Sequence, residues 1–362
     1  MGGDVNQASN RASRMMGRCL CYVLAVALAL LDATARAAPA TIDLSVATVN
    51  LTPFCMTLGM LRNPNFARYR QKYDLDLKPV QMQESLAPLT AAHGDLPVAE
   101  CSGISTVINA WQKGARNVVI FAVGSKAPVY QLVAAPSITS LTALRGQRIG
   151  TPGVQTASTE AIEMILQRGA GMTVSKDYQL ILAGAGSARI AALSTGAISA
   201  LAAYPPDSDE LAAQGYRILA DEATYVPHYV TGVYVVNRDW AQQNRALLVR
   251  LIKGMVETGQ WLKNPANEKD VIAWFAQNVQ HSGGRPIGLT DAAKLYQFLI
   301  AGDKLAFDGY APESAVRANL DIMKQRGFLD GPASLPLGQI FDFSYLNEAL
   351  KELNLPPVAP YQ

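Results

Sequence analysis

The feature that most constrains the fold is a strand–helix order that occurs twice along the chain. Residues 91–100 (AAHGDLPVAE) and 192–205 (ALSTGAISALAAYP) each combine the end of a helix, a glycine, an apolar strand and a small or polar tip. A glycine at that point suits the left-handed conformation in which many helices end. The repetition predicts two copies of one α/β design, each built from parallel βαβ units.

The hydrophobic pattern predicts the individual elements. Apolar runs typical of short strands occur at residues 42–49, 77–82, 96–99, 117–123, 148–151, 178–182, 198–203 and 232–236. Helical patterns occur at residues 85–93, 105–113, 158–168, 188–195 and 345–353. Apolar stripes around Leu251, Phe275 and Leu320 predict that the C-terminal third is mostly helical.

The N-terminus has the pattern of a secretory signal. Arg11, Arg14 and Arg18 precede an apolar run at residues 19–31, and small residues follow at Ala35 and Ala37. The run is short for a membrane span, so cleavage near Ala37 and export to the periplasm are predicted. The net charge of +2, without a block of like charges, gives no sign of a nucleic-acid partner.

Export leaves Cys55 and Cys101 as the cysteines of the mature chain. Two thiols in an oxidising compartment could form a disulfide. They could instead be two small buried apolar side chains. The separation of their Cα atoms decides between these alternatives, and the sequence does not supply it.

Three segments carry a resemblance to a known family. Residues 144–152 (LRGQRIGTP) match L-[KR]-G-K-[KR]-[IV]-G-x-P, and the segment from Ala192 through Gly196 to Pro205 matches A-L-x-x-G-x-[IV]-D-A with a later proline. Gly94-Asp95 stands where the family has a G-x-[IV]-D turn. In these motifs the chain resembles, over residues 42–236, the periplasmic solute-binding proteins of ABC importers that serve nitrate, sulfonates, taurine and thiamine-pyrimidine precursors.

The sequence also departs from that family. Pro97 and Ser199 replace the usual aspartates after the glycines, and Val154-Gln155 stands where the family commonly has Gly-Ser. The identity of the family's ligands therefore does not carry over to this chain.

The resemblance implies a two-lobed α/β fold in which each lobe is a doubly wound, mostly parallel sheet, with a helical C-terminal third. Its expected boundaries are a signal peptide at residues 1–37, lobe I at 38–128 and 233–362, and lobe II at 129–232. It implies a monomeric, non-enzymatic receptor that closes on a small solute and delivers it to the membrane permease of an ABC importer. An exported enzyme or sensor-input protein on the same scaffold is the alternative, since fold alone does not determine function.

Ligands bind open α/β sheets at the carboxyl ends of the strands. That rule selects loops of this sequence, and the candidate ligand-binding residues in or near them are Thr52, Phe54, Glu100, Ser102, Ser125, Gln155, Thr156, Arg189, Tyr204 and Tyr229. Several have a plain structural alternative: Phe54, Tyr204 and Tyr229 could pack in the core, Arg189 could face solvent, and Glu100 could be neutralised by a neighbour. These loops contain few cations, which favours a monoanion or a neutral polar solute over a multiply charged one.

The stretch at residues 155–159 places four polar side chains where a strand turns into a helix. Free amides at a helix N-terminus, aided by its dipole, stabilise an anion or an acceptor-rich group. Thr156 or Ser158 could instead cap the helix. A single cap explains one hydroxyl and not four polar side chains, so a binding role for Gln155 and Thr156 is predicted.

Catalytic signatures are few. The three histidines, His93, His228 and His281, form no metal-ligand spacing, and no G-x-S-x-G elbow or complete dinucleotide loop occurs. No catalytic residue, metal ligand or cofactor is therefore predicted.

Overall fold

The computed structural model describes residues 40–46, 51, 53–83, 86–184, 186–329 and 335–362. The predicted signal at residues 1–37 and the candidate Thr52 lie outside the described residues.

The chain contains ten strands within these ranges. They are β1 (Ala40–Val46), β2 (Leu75–Gln81), β3 (Val98–Gly103), β4 (Val118–Val123), β5 (Gln131–Ala134), β6 (Arg148–Thr151), β7 (Gln179–Leu182), β8 (Ala200–Ala203), β9 (Arg217–Asp221) and β10 (Gly232–Asn237).

The α-helices alternate with the strands and then dominate after β10. They are α1 (Met56–Arg62), α2 (Ala67–Lys72), α3 (Ala87–His93), α4 (Ile104–Gln112), α5 (Ala157–Ala170), α6 (Ser187–Ser194), α7 (Asp207–Ala213), α8 (Glu222–Tyr225), α9 (Arg238–Gln243), α10 (Arg245–Lys263), α11 (Glu268–Asn278), α12 (Leu289–Tyr296), α13 (Glu313–Gln325), α14 (Leu337–Ile340) and α15 (Ser344–Glu352). Short 3₁₀ turns lie at Pro53–Cys55, Thr142–Leu144 and Pro265–Asn267, and a π-helix lies at Gln297–Ala301.

The strands form two five-stranded sheets with the same order. Sheet I has the order β2-β1-β3-β10-β4, and sheet II has the order β7-β6-β8-β5-β9. In both, the inserted strand (β10 or β5) runs antiparallel to its two neighbours. The predicted α/β fold with two similar halves is therefore confirmed. Each sheet is mixed because the strand that follows a crossing between the two sheets, β5 or β10, runs antiparallel to its neighbours.

We use lobe I for sheet I with the elements packed on it, including helices α9 to α15, and lobe II for sheet II with its helices. The boundaries expected at residues 128 and 232 stay a prediction, since the sheets assign strands and not the connections between them. No helix of the described ranges combines the length and the apolar composition needed to cross a membrane.

Burial explains which strands the hydrophobic pattern found. β4 (VVIFAV) and β10 (GVYVVN) are buried along their whole length, which explains their nearly continuous apolar runs. Among the elements that the pattern missed are β5, β9, α7 and α8. β5 has four residues, and β9 is partly exposed throughout, so both lack a strong apolar run.

The predicted strand at residues 96–99 is displaced. It is observed as β3 (Val98–Gly103), all of whose residues are buried. Glu100 and Ser102 thus lie inside the sheet rather than in a loop beyond its carboxyl end. A strand that continues through a buried glutamate breaks the apolar pattern from which its boundary was predicted.

Candidate functional site

A cavity of about 360 Å³ lies between the two lobes. It is lined at the carboxyl ends of the lobe II strands by Pro152 and Tyr204, and on the lobe I side by Leu51 and Gln81. Its volume is in the range of sites for small molecules. The cavity is therefore where the rule for open α/β sheets places a ligand.

Three aromatic rings form one wall of the cavity. Phe54 contacts Tyr130 and Tyr204 with ring centroids 6.1 and 6.0 Å away, and the two tyrosines are 5.6 Å apart. Each ring comes from a different part of the fold: the 3₁₀ turn, the connection from β4 to β5, and the end of β8. The wall offers an apolar or planar part of a ligand a large contact surface.

Close packing determines the position of Phe54. A Cβ atom at Gly124 would lie 2.5 Å from the Phe54 carbonyl oxygen, and one at Gly232 would lie 2.8 Å from the Phe54 ring. Glycine at both positions lets the segments that connect the lobes approach the turn at Pro53–Cys55. Cys55 is also joined to Cys101 of β3 by a disulfide, with Cα atoms 5.7 Å apart.

The charged groups that line the cavity are Arg189 and Asp207, within the described residues. Arg189 lies in the first turn of α6, whose N-terminal residues Gly186 and Ser187 also line the cavity. Its Nη1 donates to the Ala202 carbonyl oxygen at 3.4 Å, which holds the guanidinium beside the end of β8. Asp207 accepts from the Ser282 backbone N–H at 3.0 Å and is thereby already engaged. A cation and a helix N-terminus together favour an anionic group on the ligand.

The structure brings three of the sequence-predicted residues, Phe54, Arg189 and Tyr204, into the cavity lining. Six others lie outside that lining: Glu100, Ser102, Ser125, Gln155, Thr156 and Tyr229. Ser125 accepts from the Gly232 backbone N–H at 3.2 Å where the lobes connect.

Gln155 and Thr156 contact protein groups. Asn109 Nδ2 of α4 donates to Gln155 Oε1 at 2.6 Å, and Thr106 Oγ1 donates to the Gln155 carbonyl oxygen at 3.0 Å. Thr156 is the N-cap of α5 by position, but its side chain donates to the Gly153 carbonyl oxygen and makes no capping bond. Gln155 thus joins lobe I to lobe II, and a solute-binding role for these two residues stays a prediction.

A buried ion pair continues this connection. Glu160 of α5 accepts from Ser105 Oγ of α4 at 2.9 Å, from Arg326 Nη1 at 2.7 Å and from the Tyr229 hydroxyl. Arg326 also donates to Glu163 Oε2 at 2.6 Å. Burial raises the pKa of the Glu160 carboxyl, and the charge of Arg326 with two hydroxyl donors opposes that rise. Tyr229, expected at the cleft, is 1% exposed: its ring packs in an apolar cluster and its hydroxyl belongs to this network.

Glu100 is paired rather than exposed to a ligand. Its carboxylate accepts from Arg62 Nε, and the two side chains are 1% and 6% exposed. Burial raises the pKa of Glu100 to about 7, although the attraction of Arg62 acts in the opposite direction. Ser102 lies in the same strand and is fully buried.

Sequence reasoning missed Tyr130, Asp207 and Ser282. Asp207 had a detectable signal, since Asp207, Asp209 and Glu210 in one helical turn are typical of a helix N-terminus. Tyr130 and Ser282 lie in irregular connections whose local sequence does not indicate which way they face.

Glu222 forms two hydrogen bonds with the backbone of Tyr130, and its burial makes the free energy of unfolding depend on pH. The Tyr130 backbone N–H donates to Glu222 Oε2 at 3.2 Å, and the Glu222 N–H donates to the Tyr130 carbonyl oxygen at 2.9 Å. Burial raises the pKa of Glu222 from its ordinary value of 4.5 to about 8, against the opposing effect of the Tyr130 N–H. The folded chain therefore keeps a proton that the unfolded chain releases between those two values.

We expect the free energy of unfolding to fall as pH rises through this window, by up to about 1.4 kcal/mol per pH unit from this one group. Glu222→Gln removes that contribution, since the amide does not ionise. Chemical denaturation of both proteins at pH 5, 6, 7 and 8 measures the free energy of unfolding. That of the variant should rise relative to that of the original chain as the pH increases. Glu100 titrates in both proteins and cancels in the difference. A difference in unfolding free energy between the two proteins that does not change with pH would contradict the raised pKa of Glu222.

Comparisons with known proteins agree with this geometry. The family model described as NMT1/THI5 like matches residues 69–268. The comparison with curated proteins found no match.

Among solved structures, the chain is similar to the periplasmic sulfonate-binding protein SsuA from Methylobacillus flagellatus KT, with 16% identity, coverage of 89% of this chain and 98% of that one, and a TM-score of 0.62. It is similar to a Candida albicans protein described as having the generic periplasmic binding protein fold, with 13% identity, coverage of 89% and 98%, and a TM-score of 0.64. It is also similar to the desulfurization enzyme DSZB, with 16% identity, coverage of 86% and 99%, and a TM-score of 0.57. At these identities the likeness shows the fold, and that fold carries both binding proteins and an enzyme.

Proposed function

The chain belongs to the NMT1/THI5-like family, and we propose that it is an exported receptor that closes on a small organic solute with one anionic group. The observation that carries this proposal is the cavity between the lobes, which combines one lining arginine with a wall of three aromatic rings. A sulfonate or carboxylate would lie against Arg189 and the α6 N-terminus, and its organic part would contact Phe54, Tyr130 and Tyr204.

The charge balance of the cavity supports a monoanion. Asp207, the other charged lining residue, is engaged by Ser282 and would repel a second negative charge placed near it. A multiply charged ion such as phosphate would need more cationic partners than Arg189 supplies. The SsuA similarity favours the sulfonate class among the solutes of the family.

Closure and delivery to an ABC importer form the second part of the proposal. The two sheets are joined by connecting segments next to β5 and β10, an arrangement suited to hinge bending. Delivery is tested by measuring the uptake of labelled solute in cells with and without the chain. Uptake should be lower in cells that lack the chain, and equal uptake would contradict delivery.

The DSZB similarity keeps an enzyme on this scaffold as the second candidate. Within the described residues, no cysteine or histidine lines the cavity, so the lining lacks the usual nucleophile–base pair. Incubation of the purified chain with each bound solute, followed by mass spectrometry, decides between the two. Conversion of the solute would overturn the receptor proposal.

The binding site is tested with a thermal-shift screen of alkanesulfonates, aromatic carboxylates and pyrimidines, followed by calorimetry on the best solute. Arg189→Ala should weaken binding of an anionic solute by roughly tenfold to a hundredfold, since a hydrogen bond to a charged group contributes about 1.5–3 kcal/mol. Arg148→Ala is the matched control, because this exposed arginine of β6 lies outside the cavity lining. Equal affinities of the two variants would remove Arg189 from the site.

A further inference from the structure

Two carboxylates and a buried histidine meet across the lobes beside the cavity. Asp207 and Glu210 lie three residues apart on α7 of lobe II, so they share one face of that helix. His281 comes from the segment between α11 and α12 of lobe I. One oxygen of each carboxylate and one ring nitrogen of His281 lie within 4.8 Å of one another.

The imidazole of His281 has no hydrogen-bond partner among the described residues, although its side chain is only 3% exposed. Its Nδ1 is 2.8 Å from Glu210 Oε2 and 3.4 Å from Asp207 Oδ1. The distance from Nδ1 to Glu210 Oε2 is short enough for a hydrogen bond, but the angle at the ring nitrogen is not that of a hydrogen bond. A buried polar group without a bond is costly, so a further partner is expected between these three atoms.

The distances suit ligands of a common metal ion. Nitrogen and oxygen atoms bind Zn²⁺ at about 2.0–2.2 Å, so two ligands of one ion lie roughly 3.0–3.5 Å apart. The observed separation of 3.4 Å lies within that range, and the one of 2.8 Å lies just below it. The two carboxylates also carry two negative charges, which match a divalent cation.

Neighbouring groups orient the three side chains. Ser282 donates from its backbone N–H and its hydroxyl to the two oxygens of Asp207. Arg285 Nη2 lies 2.6 Å from Glu210 Oε1, which leaves Oε2 facing His281. Asp291 Oδ2 lies 3.9 Å from His281 Nε2, the second ring nitrogen. Metal-binding histidines are commonly oriented by a carboxylate in this position.

We propose that Asp207, Glu210 and His281 bind a divalent metal ion of the Zn²⁺ class that links lobe II to lobe I beside the cavity. Imidazole with carboxylates prefers Zn²⁺ or a similar transition metal over Mg²⁺. Because the ligands come from both lobes, the ion stabilises the closed arrangement of the chain. Asp207 and Ser282 also line the cavity, so the ion and the solute favour the same closed state and each tightens the binding of the other. The metal site stands independently of the proposed solute, whereas this coupling rests on the proposed function.

The site is tested with the metal alone. The full chain, stripped with a chelator, is titrated with ZnCl₂ by calorimetry, with MgCl₂ as a parallel titration. One equivalent of Zn²⁺ should bind, and Mg²⁺ should bind at least about tenfold more weakly. Glu210→Gln and His281→Gln should each weaken Zn²⁺ binding by about tenfold or more. His93→Gln, an exposed histidine at the end of α3, is the matched control and should bind like the original chain.

Absence of stoichiometric Zn²⁺ binding would overturn the site, as would unchanged binding in Glu210→Gln. The latter variant keeps the test valid if His281→Gln, a change at a buried position, fails to fold. Small-angle scattering without solute then tests the link between the lobes, since Zn²⁺ should reduce the radius of gyration of the original chain and leave that of Glu210→Gln unchanged. Bound Zn²⁺ without such compaction would refute the bridging role and leave the solute proposal untouched.

Discussion

Replacing Arg326 with methionine is expected to lower the free energy of unfolding by about 3–5 kcal/mol, because the buried carboxylate of Glu160 and the partly buried carboxylate of Glu163 lose their cation. Arg326 has a side-chain exposure of 3%, and its partners Glu160 and Glu163 have exposures of 2% and 12%. Methionine keeps most of the volume, so the loss reports charge rather than a cavity. Denaturant unfolding at pH 7 measures this loss. The deficit should shrink at low pH as the Glu160 carboxyl, whose pKa is raised by burial, becomes protonated.

A second arginine of the same region provides the control. Arg317 pairs with Glu313 one helical turn away on α13, with exposures of 49% and 25%. Arg317→Met should cost well under about 1 kcal/mol, since exposed pairs of this kind contribute little. The triple variant with Arg326→Met, Glu160→Gln and Glu163→Gln should recover much of the lost stability. Similar small losses for both arginines would show that the Arg326 pair is not effectively buried.

Removing the disulfide is the other change with a large expected effect. Cys55 and Cys101 are 46 residues apart, and closing a loop of that length is worth about 4 kcal/mol in the chain-entropy model. The double variant Cys55→Ala with Cys101→Ala should lose stability of this size. The solute affinity should also fall, since the bond holds the turn that positions Phe54 against the cavity.

Reduction distinguishes the contribution of the disulfide bond to stability from that of the two cysteine side chains. Dithiothreitol should lower the midpoint of unfolding of the original chain and leave that of the double alanine variant unchanged. Equal responses of the two proteins to the reductant would mean that the disulfide does not contribute to stability.

Local patterns predicted much of the fold. The strand at Arg148–Thr151 was predicted to the residue, and the helix at Ser187–Ser194 to within one residue. The glycine expected to end α3, Gly94, has a φ of 86°, in the left-handed region. Such features depend on a few neighbouring residues, so a sequence pattern can encode them.

The site was predicted less completely, because its residues meet through long-range packing. Arg189 and Tyr204 follow from their positions at a helix start and a strand end. Glu100 does not, since its burial depends on Arg62 from another element. His281 lies 74 positions after Asp207 in the sequence, so no local spacing could indicate their contact.

By itself, the order of residues determined the alternation of strands and helices and the twofold repetition of that design. Hydrophobic periodicity and helix-ending glycines act within single elements, which is why this much could be recognised. Only the tertiary structure decided which polar side chains line the gap between the lobes, which join one lobe to the other, and that Cys55 is bonded to Cys101. Those outcomes depend on how two sheets and their helices approach one another, and residues far apart in the chain share that geometry.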